Sequence, residues 1–257
     1  MPAPDLALLS EAAREAGAVA MRYWKHSPQS WDKGGDAGPV TEADLAVNDL
    51  LAHRLRGARP DYGWLSEESA DTDERLSARR VFIIDPIDGT RAFMAGEDTF
   101  AHSLAVAEEG RVIAAAVFLP ALDRLYTATA EGPALRDDQP IRASLRPGSE
   151  GATLLATRHA LGESHWPGGV PDVKRSFRSS LAFRLCLVAE GRHDGMLTLR
   201  SAWEWDIAAG ALIARQAGAA VTDRFGRALR FNAPHPAMEG VIAAAPGVHA
   251  DLLHRLS

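Results

Sequence analysis

The sequence predicts a mixed α+β protein in which layers of helices pack on sheets with substantial antiparallel pairing. Three observations carry this. Helical and strand-like stretches mix along the whole chain. Few strand–helix–strand units repeat with the clean alternation that a doubly wound parallel sheet requires. Between His102 and Thr129, three strand-like runs follow one another with only short turns between them, as antiparallel hairpins do.

Residues from about Asp5 to Lys25 place Leu6, Leu9, Ala13, Ala16, Ala20 and Tyr23 on one helical stripe. Ser27 to Pro39, with three glycines and two prolines, reads as a mobile loop or a hairpin. Thr41 is a candidate N-cap with Asp44 at near capping-box spacing, and Ala43, Val47, Leu50, Leu51 and Leu55 line the helix that follows until Gly57 and Pro60 stop it. Tyr62 to Ser66 reads as a strand ending in Glu67-Glu68. Val81 to Ile84 is a short buried strand broken by Pro86 and the Asp88-Gly89 pair. His102–Glu108, Val112–Leu119 and Arg124–Thr129 are the antiparallel set.

The stretch from Glu131 to Gly151, rich in Gly, Pro and charge, is the expected boundary between two halves. Beyond it, Leu154–Thr157 and Met196–Leu199 read as strands, and His159–Lys174 is too polar and broken to assign. Ser180 caps a helix through Ala189, and Asp206 opens another that ends at Gly218. Strands are expected at Ala220–Thr222, Ala228–Phe231 and Val241–Ala244, with a closing helix over Val248–Leu256.

Composition sets limits on function. The 257 residues suffice for one large domain or two joined ones, with 46% hydrophobic and 24% charged residues, ordinary globular values. A net charge of −6 and the lack of any Lys/Arg block argue against a nucleic-acid polymer as partner. The single cysteine, Cys186, forms no internal disulfide. With no signal-like start and no long apolar run, the expectation is a cytoplasmic protein without a membrane partner.

The chemistry-bearing residues are acidic. Asp44 stands early in a helix, Glu67, Asp85 and Asp88 at strand ends, and Asp206 at a helix start. Gathered together and buried, these carboxylates would repel one another unless neutralised, and a divalent cation is the natural compensation. An all-oxygen set selects Mg²⁺, Mn²⁺ or Ca²⁺ over zinc, and none of the nine histidines has zinc-like spacing. Two residues separate Asp85 from Asp88, so the Asp-x-Asp-Gly-Thr motif of phosphoaspartate-forming phosphatases is not matched. Direct attack by water is the expectation.

Four blocks, Pro39-Val40-Thr41-Glu42-Ala43-Asp44, Ser66-Glu67-Glu68, Asp85-Pro86-Ile87-Asp88-Gly89-Thr90 and Trp205-Asp206-Ile207-Ala208-Ala209-Gly210, resemble the signatures of the inositol monophosphatase superfamily in order and spacing. The resemblance covers the chain from the first helix to about Phe231. It implies a layered α-β-α-β-α sandwich of the inositol monophosphatase/fructose-1,6-bisphosphatase type. Its N-terminal α+β half, residues 1–140, would carry most metal ligands; its C-terminal α/β half, 141–257, would carry Asp206 and the specificity residues. The site would lie in the cleft between them.

The resemblance also implies roles. Glu67, Asp85 and the Ile87 carbonyl would hold a first Mg²⁺, and Asp85, Asp88 and Asp206 a second, with a third weaker ion and Mn²⁺ as a substitute. Asp44, Glu67 and Thr90 would be catalytic, orienting and deprotonating the attacking water. Substrate would contact Glu67, Ile87, Asp88, Gly89, Thr90 and Asp206, with the Gly89 and Thr90 N–H groups on phosphate oxygens. Lithium inhibition and a homodimer are expected on the same ground.

The substrate would be a small phosphorylated molecule. Ser179-Ser180-Leu181-Ala182-Phe183 with Leu187-Val188-Ala189-Glu190-Gly191, Glu204-Trp205-Asp206 and Leu119 to Tyr126 resemble the 3′(2′),5′-bisphosphate nucleotidase branch. Inositol-type members often carry a glutamate about seven residues before the last metal aspartate, where this chain has Leu199 beside Arg200. Arg91-Ala92-Phe93 departs from the nucleotidase pattern, and Gly96 to Phe100 resembles inositol- and histidinol-phosphate phosphatases. The expected substrate is therefore adenosine 3′,5′-bisphosphate, with inositol 1-phosphate or histidinol phosphate as alternatives, and a binding role in a larger assembly as the non-enzymatic one. Arg91 and Arg184 read as surface charge, and Trp24, Trp31, Trp64, Trp166 and Trp203 as core or interface residues.

Overall fold

A computed structural model describes residues 3–34 and 38–257. Helix α1 (Ala3–Tyr23) is followed by a hairpin of β1 (Ser30–Asp32) and β2 (Pro39–Thr41), so the Gly/Pro-rich stretch resolves as a hairpin, with Gly35, Asp36 and Ala37 outside the described residues. Helix α2 (Glu42–Ala58) starts at the Thr41 N-cap, and the expected capping box is present.

Among the described residues, β3 (Gly63–Ser66), β4 (Arg80–Asp88), β5 (Ala101–Glu108), β6 (Arg111–Leu119), β7 (Arg124–Thr129), β8 (Leu135–Arg136) and β9 (Gln139–Pro140) pair in that order as one seven-stranded sheet. Only β3 and β4 run parallel; the remaining pairs are antiparallel. A short helix, α3 (Glu74–Ser77), joins β3 to β4, and α4 (Thr90–Met94) joins β4 to β5.

The C-terminal half builds a second sheet in the order β11 (Val173–Ser176), β10 (Ala152–Leu155), β12 (Gly195–Thr198), β16 (Val241–Ala244), β14 (Ala220–Thr222). Helices α5 (Leu181–Ala189) and α6 (Glu204–Gln216) lie between the sheets, and α7 (Pro246–Leu256) covers the second sheet from outside. The pair β13 (Ala202–Trp203) and β15 (Ala237–Met238) forms a small separate ladder beside the start of α6.

Side-chain alternation explains the layers. On β4, Phe82 and Ile84 face α1 and α2, whereas Val81 and Ile83 face the α5–α6 layer. A strand buried on both faces reads as a continuous apolar run, which is what Val81 to Ile84 is. Every residue of α5 is buried, as a helix sandwiched between two sheets requires. Gly210 lets α5 and α6 approach closely: a Cβ there would stand 2.6 Å from Leu185 Cβ. The sequence is thus an α-β-α-β-α sandwich, and its central core is shared by residues on both sides of position 140.

Two expectations need correcting. Ala228–Phe231 is not a strand: the Phe231 N–H goes to Gly110 O, and the next two N–H groups go to the buried Glu204 carboxylate. Single bonds, not a ladder, hold that segment. Helix α6 starts two residues before Asp206, with Trp203 as N-cap. The unassigned polar stretch ends in β11, which pairs in parallel with β10. The expected boundary segment begins with β8 and β9, which extend the first sheet as far as Pro140.

Candidate active site

The site forms where β4 stops behaving as a strand. Its register against β5 shifts between Asp85 and Asp88, so Pro86 and Ile87 bulge out of the ladder. Gly89 then takes a left-handed conformation (φ 94°) that reverses the chain into α4. The bulge presents Asp85, the Ile87 carbonyl and Asp88 in one short turn. His102 on β5 holds it from behind, its Nδ1 bonded to Pro86 O; the ring is wholly buried and its pKa is pushed down to about 4, chiefly by that burial.

Three other elements meet this turn. Glu67 follows β3 directly, with its N–H on Ile84 O at 3.2 Å. Asp206 comes from the first turn of α6, whose Trp205 carbonyl accepts a bond from Ser103 Oγ on β5 at 2.9 Å. Oxygens of Glu67, Asp85 and Asp206 lie within 4.8 Å of one another. Asp88 is turned toward the start of α5, accepting from Ser180 Oγ and the Ala182 N–H, both at 2.6 Å. The N-cap of α5 was legible in the sequence; that it doubles as the support of Asp88 was not.

Asp44, from the first turn of α2, accepts from the Thr41 N–H and hydroxyl at 2.8 and 2.6 Å. Its other oxygen is 3.2 Å from Thr90 Oγ1, which also reaches Ile87 O at 3.1 Å. All the acidic residues singled out in the sequence, together with Ile87, Gly89 and Thr90, therefore converge on one place.

The electrostatics of this place are those of an uncompensated carboxylate cluster. Asp85 is buried, and no hydrogen-bond donor reaches either of its oxygens. Burial, then the charges of Glu67 and Asp88, push its pKa far up. Asp206 moves the same way through burial and then Asp88. Burial raises Glu67 to about 7 and Asp44 to about 6. Buried oxygens without donors, in an all-oxygen set, fit a hard divalent cation. Glu67, Asp85, Asp88, Asp206 and the Ile87 carbonyl are the atoms that would hold it.

Two neighbours escaped the sequence reading. Lys33, in the loop after β1, places its ammonium 3.1 Å from Glu67 and 2.5 Å from Glu68, a cation brought to the rim by the hairpin. Arg184 is not surface charge: it is 5% exposed on α5, and its charge acts on Asp88 and Asp206. Its spacing on an all-buried helix was the signal available. Arg91 is exposed, as expected. Of the tryptophans, Trp166 is core, whereas Trp31 and Trp203 are 46% and 39% exposed. Trp203 stacks on Trp205 with centroids 4.9 Å apart and planes 10° from parallel.

A family model described as the inositol monophosphatase family matches residues 2–257. The chain belongs to the inositol monophosphatase family. The inositol-1-monophosphatase of Rhizobium meliloti (strain 1021) is 36% identical over 208 residues, 75% of this chain and 74% of that protein. The 3′(2′),5′-bisphosphate nucleotidase CysQ of Salmonella typhimurium is 31% identical over 231 residues, covering 86% and 91%. Among solved structures, the IMPase of Thermotoga maritima superposes with a TM-score of 0.83 at 27% identity, covering 100% of this chain and 97% of that one. The family is metal-dependent, and the relatives make this chain a phosphatase. Among its described residues no helix is long and apolar enough to cross a membrane.

Proposed function

We propose that this protein is a Mg²⁺-dependent phosphomonoesterase that removes the 3′-phosphate of adenosine 3′,5′-bisphosphate by direct attack of water, working as a cytoplasmic homodimer and accepting Mn²⁺ as a substitute. The observation that carries the chemistry is the cluster of Glu67, Asp85 and Asp206, whose central carboxylate, Asp85, is buried and has no hydrogen-bond donor. Divalent cations held there supply Lewis acidity at the phosphoryl group and lower the pKa of water.

The chain's own residues do the rest. Thr90 Oγ1 has acceptors on two sides, Asp44 Oδ1 and Ile87 O, but only one proton to give. With that proton directed to Asp44, its lone pairs are free to accept from an incoming water. Burial raises Glu67 to about 7 in the cation-free protein, and a cation bound beside it would lower that value and keep the carboxylate ionised, able to accept a hydrogen bond from an incoming water. Asp88 cannot swing away from the site, because Ser180 and the α5 N-terminus hold it. A cavity of about 570 Å³ opens beside the start of α5, lined in part by Phe177, Ser179 and Phe183, but none of the cluster's carboxylates lines it.

The nucleotide reading is supported by Leu199, buried and apolar at the position where inositol-type members of the family often carry a glutamate, and by the similarity to the nucleotidase. The higher identity to the inositol-1-monophosphatase favours inositol 1-phosphate as the second reading. Phosphate release with Mg²⁺, with and without lithium, on adenosine 3′,5′-bisphosphate, myo-inositol 1-phosphate, histidinol phosphate and fructose 1,6-bisphosphate separates them. The expected result is the highest kcat/KM for the nucleotide and inhibition by lithium. A preference for inositol phosphate overturns the reading of Leu199 and leaves the carboxylate centre in place.

A further inference from the structure

We propose that His159 and His165 form a surface site for a divalent ion of the Zn²⁺, Cu²⁺ and Ni²⁺ class, separate from the carboxylate cluster and independent of the phosphatase reading. Both histidines lie in the crossover between β10 and β11, on successive single turns of 3₁₀ helix over His159–Leu161 and Glu163–His165. The sequence reading passed over them; the bend at Gly162 brings their rings together.

Two distances define the pair. The Nε2 atoms are 3.3 Å apart, and the ring centroids are 5.0 Å apart with planes 80° from one another. A hydrogen bond running straight from ring to ring would add about 1.15 Å between centroid and nitrogen at each end, placing the centroids about 5.6 Å apart. The observed separation is shorter, so the rings do not meet end to end along one line. An ion held tetrahedrally at about 2.05 Å from both nitrogens requires them about 3.3 Å apart and the centroids about 5.2 Å apart. The pair satisfies the first distance and comes within about 0.2 Å of the second. His159 is exposed and His165 half-buried, which leaves the remaining coordination positions to water.

The backbone holds this geometry in place. Trp166 is buried in the core, and its indole N–H donates to Ala160 O at 2.9 Å, so the residue after one histidine is tied to the residue after the other. Thr157 Oγ1 accepts from the Ala160 N–H at 3.2 Å. The Gly162 N–H donates to His159 O, and the His165 N–H to Gly162 O, both at 3.0 Å. Little freedom is lost when an ion binds to a frame already set. Imidazole nitrogens suit Zn²⁺, Cu²⁺ and Ni²⁺, whereas Mg²⁺ takes oxygen ligands, so this pair and the carboxylate cluster sort ions by class. Among the described residues, Glu67, Asp85 and Asp206 are the only group of three or more potential ligands that meet. The histidine pair is therefore an open site with two protein ligands, weaker than a closed structural zinc site.

The test is calorimetric titration of the wild type, His159→Gln and His165→Gln with ZnCl₂ in a large excess of Mg²⁺, which competes for the carboxylates. The wild type is expected to bind one equivalent of Zn²⁺ that Mg²⁺ does not displace. Loss of a group that merely orients a metal ligand already costs on the order of tenfold in affinity, so loss of either ligand should weaken this equivalent by at least that factor. Electron paramagnetic resonance of added Cu²⁺ supplies a second readout: nitrogen hyperfine structure from two imidazoles in the wild type, absent from both variants. Both side chains reach the surface, so the variants should keep the wild-type Tm in chelator. Zn²⁺ bound equally by all three proteins belongs to the carboxylates, and a wild type that binds no more than the variants overturns the proposal. Displacement of the extra equivalent by Mg²⁺, or a Cu²⁺ spectrum unchanged by the substitutions, overturns it as well.

Discussion

Replacing Asp85 by Asn should stabilise the cation-free protein while removing its response to Mg²⁺. Oxygens of Asp85, Glu67 and Asp206 lie within 4.8 Å of one another, and at an effective dielectric near 20 each ionised pair at that distance repels by about 3.5 kcal/mol. Two such neighbours roughly double the figure, so the cluster relieves itself by holding protons. Keeping one carboxyl of ordinary pKa protonated at pH 7.5 costs about 5 kcal/mol, which caps the strain that Asp85 can impose. An Asn side chain removes the charge, keeps the volume and puts an N–H₂ donor where none now reaches. A gain of about 2–4 kcal/mol is expected, a rise in Tm of roughly 5–15 °C in chelator. Thermal unfolding of both proteins in EDTA and in excess Mg²⁺ measures this: wild type should gain Tm with Mg²⁺ and Asp85→Asn should not. A variant that is less stable than wild type in EDTA, or that responds equally to Mg²⁺, would refute the electrostatic account of the cluster.

Other outcomes follow from the same geometry. Asp88→Asn and Asp206→Asn should each lower kcat at saturating Mg²⁺ by on the order of 100-fold or more while the fold persists by circular dichroism; near wild-type turnover would remove both residues from the site. Glu67 and Asp44 have folded-state pKa values raised by burial to about 7 and about 6. Their share of stability is therefore complete below their ordinary values and is lost as pH rises through about 6 to 7. Cation-free Tm should fall from pH 5 to 7.5, and Mg²⁺ binding should release protons over the same window, seen as a buffer-dependent calorimetric heat. Gly210→Ala should destabilise by about 1–3 kcal/mol in chemical denaturation, since its Cβ would meet Leu185 at 2.6 Å; an unchanged midpoint would show that α5 and α6 separate easily. His102→Leu leaves the buried Pro86 carbonyl without its donor, so the Mg²⁺ concentration for half-maximal activity should rise, and a drop in Tm with no such rise would make His102 merely structural.

What could be read from the sequence was local or carried by motif. The Thr41 cap, the Asp85–Thr90 turn, the Ser180 cap and the antiparallel run from His102 to Thr129 each follow from residue chemistry within a few positions. The convergence of Asp44, Glu67, Asp85, Asp88 and Asp206 is not local, and it was reached through the order and spacing of four blocks. What escaped depends on distant partners. Ala228–Phe231 has the apolar character of a strand, but its hydrogen bonds go to Gly110 and its neighbours' to Glu204. Arg184 has the side chain of a surface residue, and only its place on a helix buried on every side makes it part of the interior. Lys33 meets Glu67 and Glu68 because a hairpin folds over, which no spacing rule contains.

The support of Asp88 by Ser180 joins positions 92 apart in the chain. Asp206, on the helix packed against α5, comes from still further along. A chain that had completed only its first sheet would own Asp85 and Glu67 but neither the prop for Asp88 nor the last carboxylate. Cation affinity therefore arrives late in folding, when the middle helical layer docks, and cannot template the earlier steps. Divalent ions should slow unfolding much more than they speed refolding, and a truncated or half-synthesised chain should not sequester them.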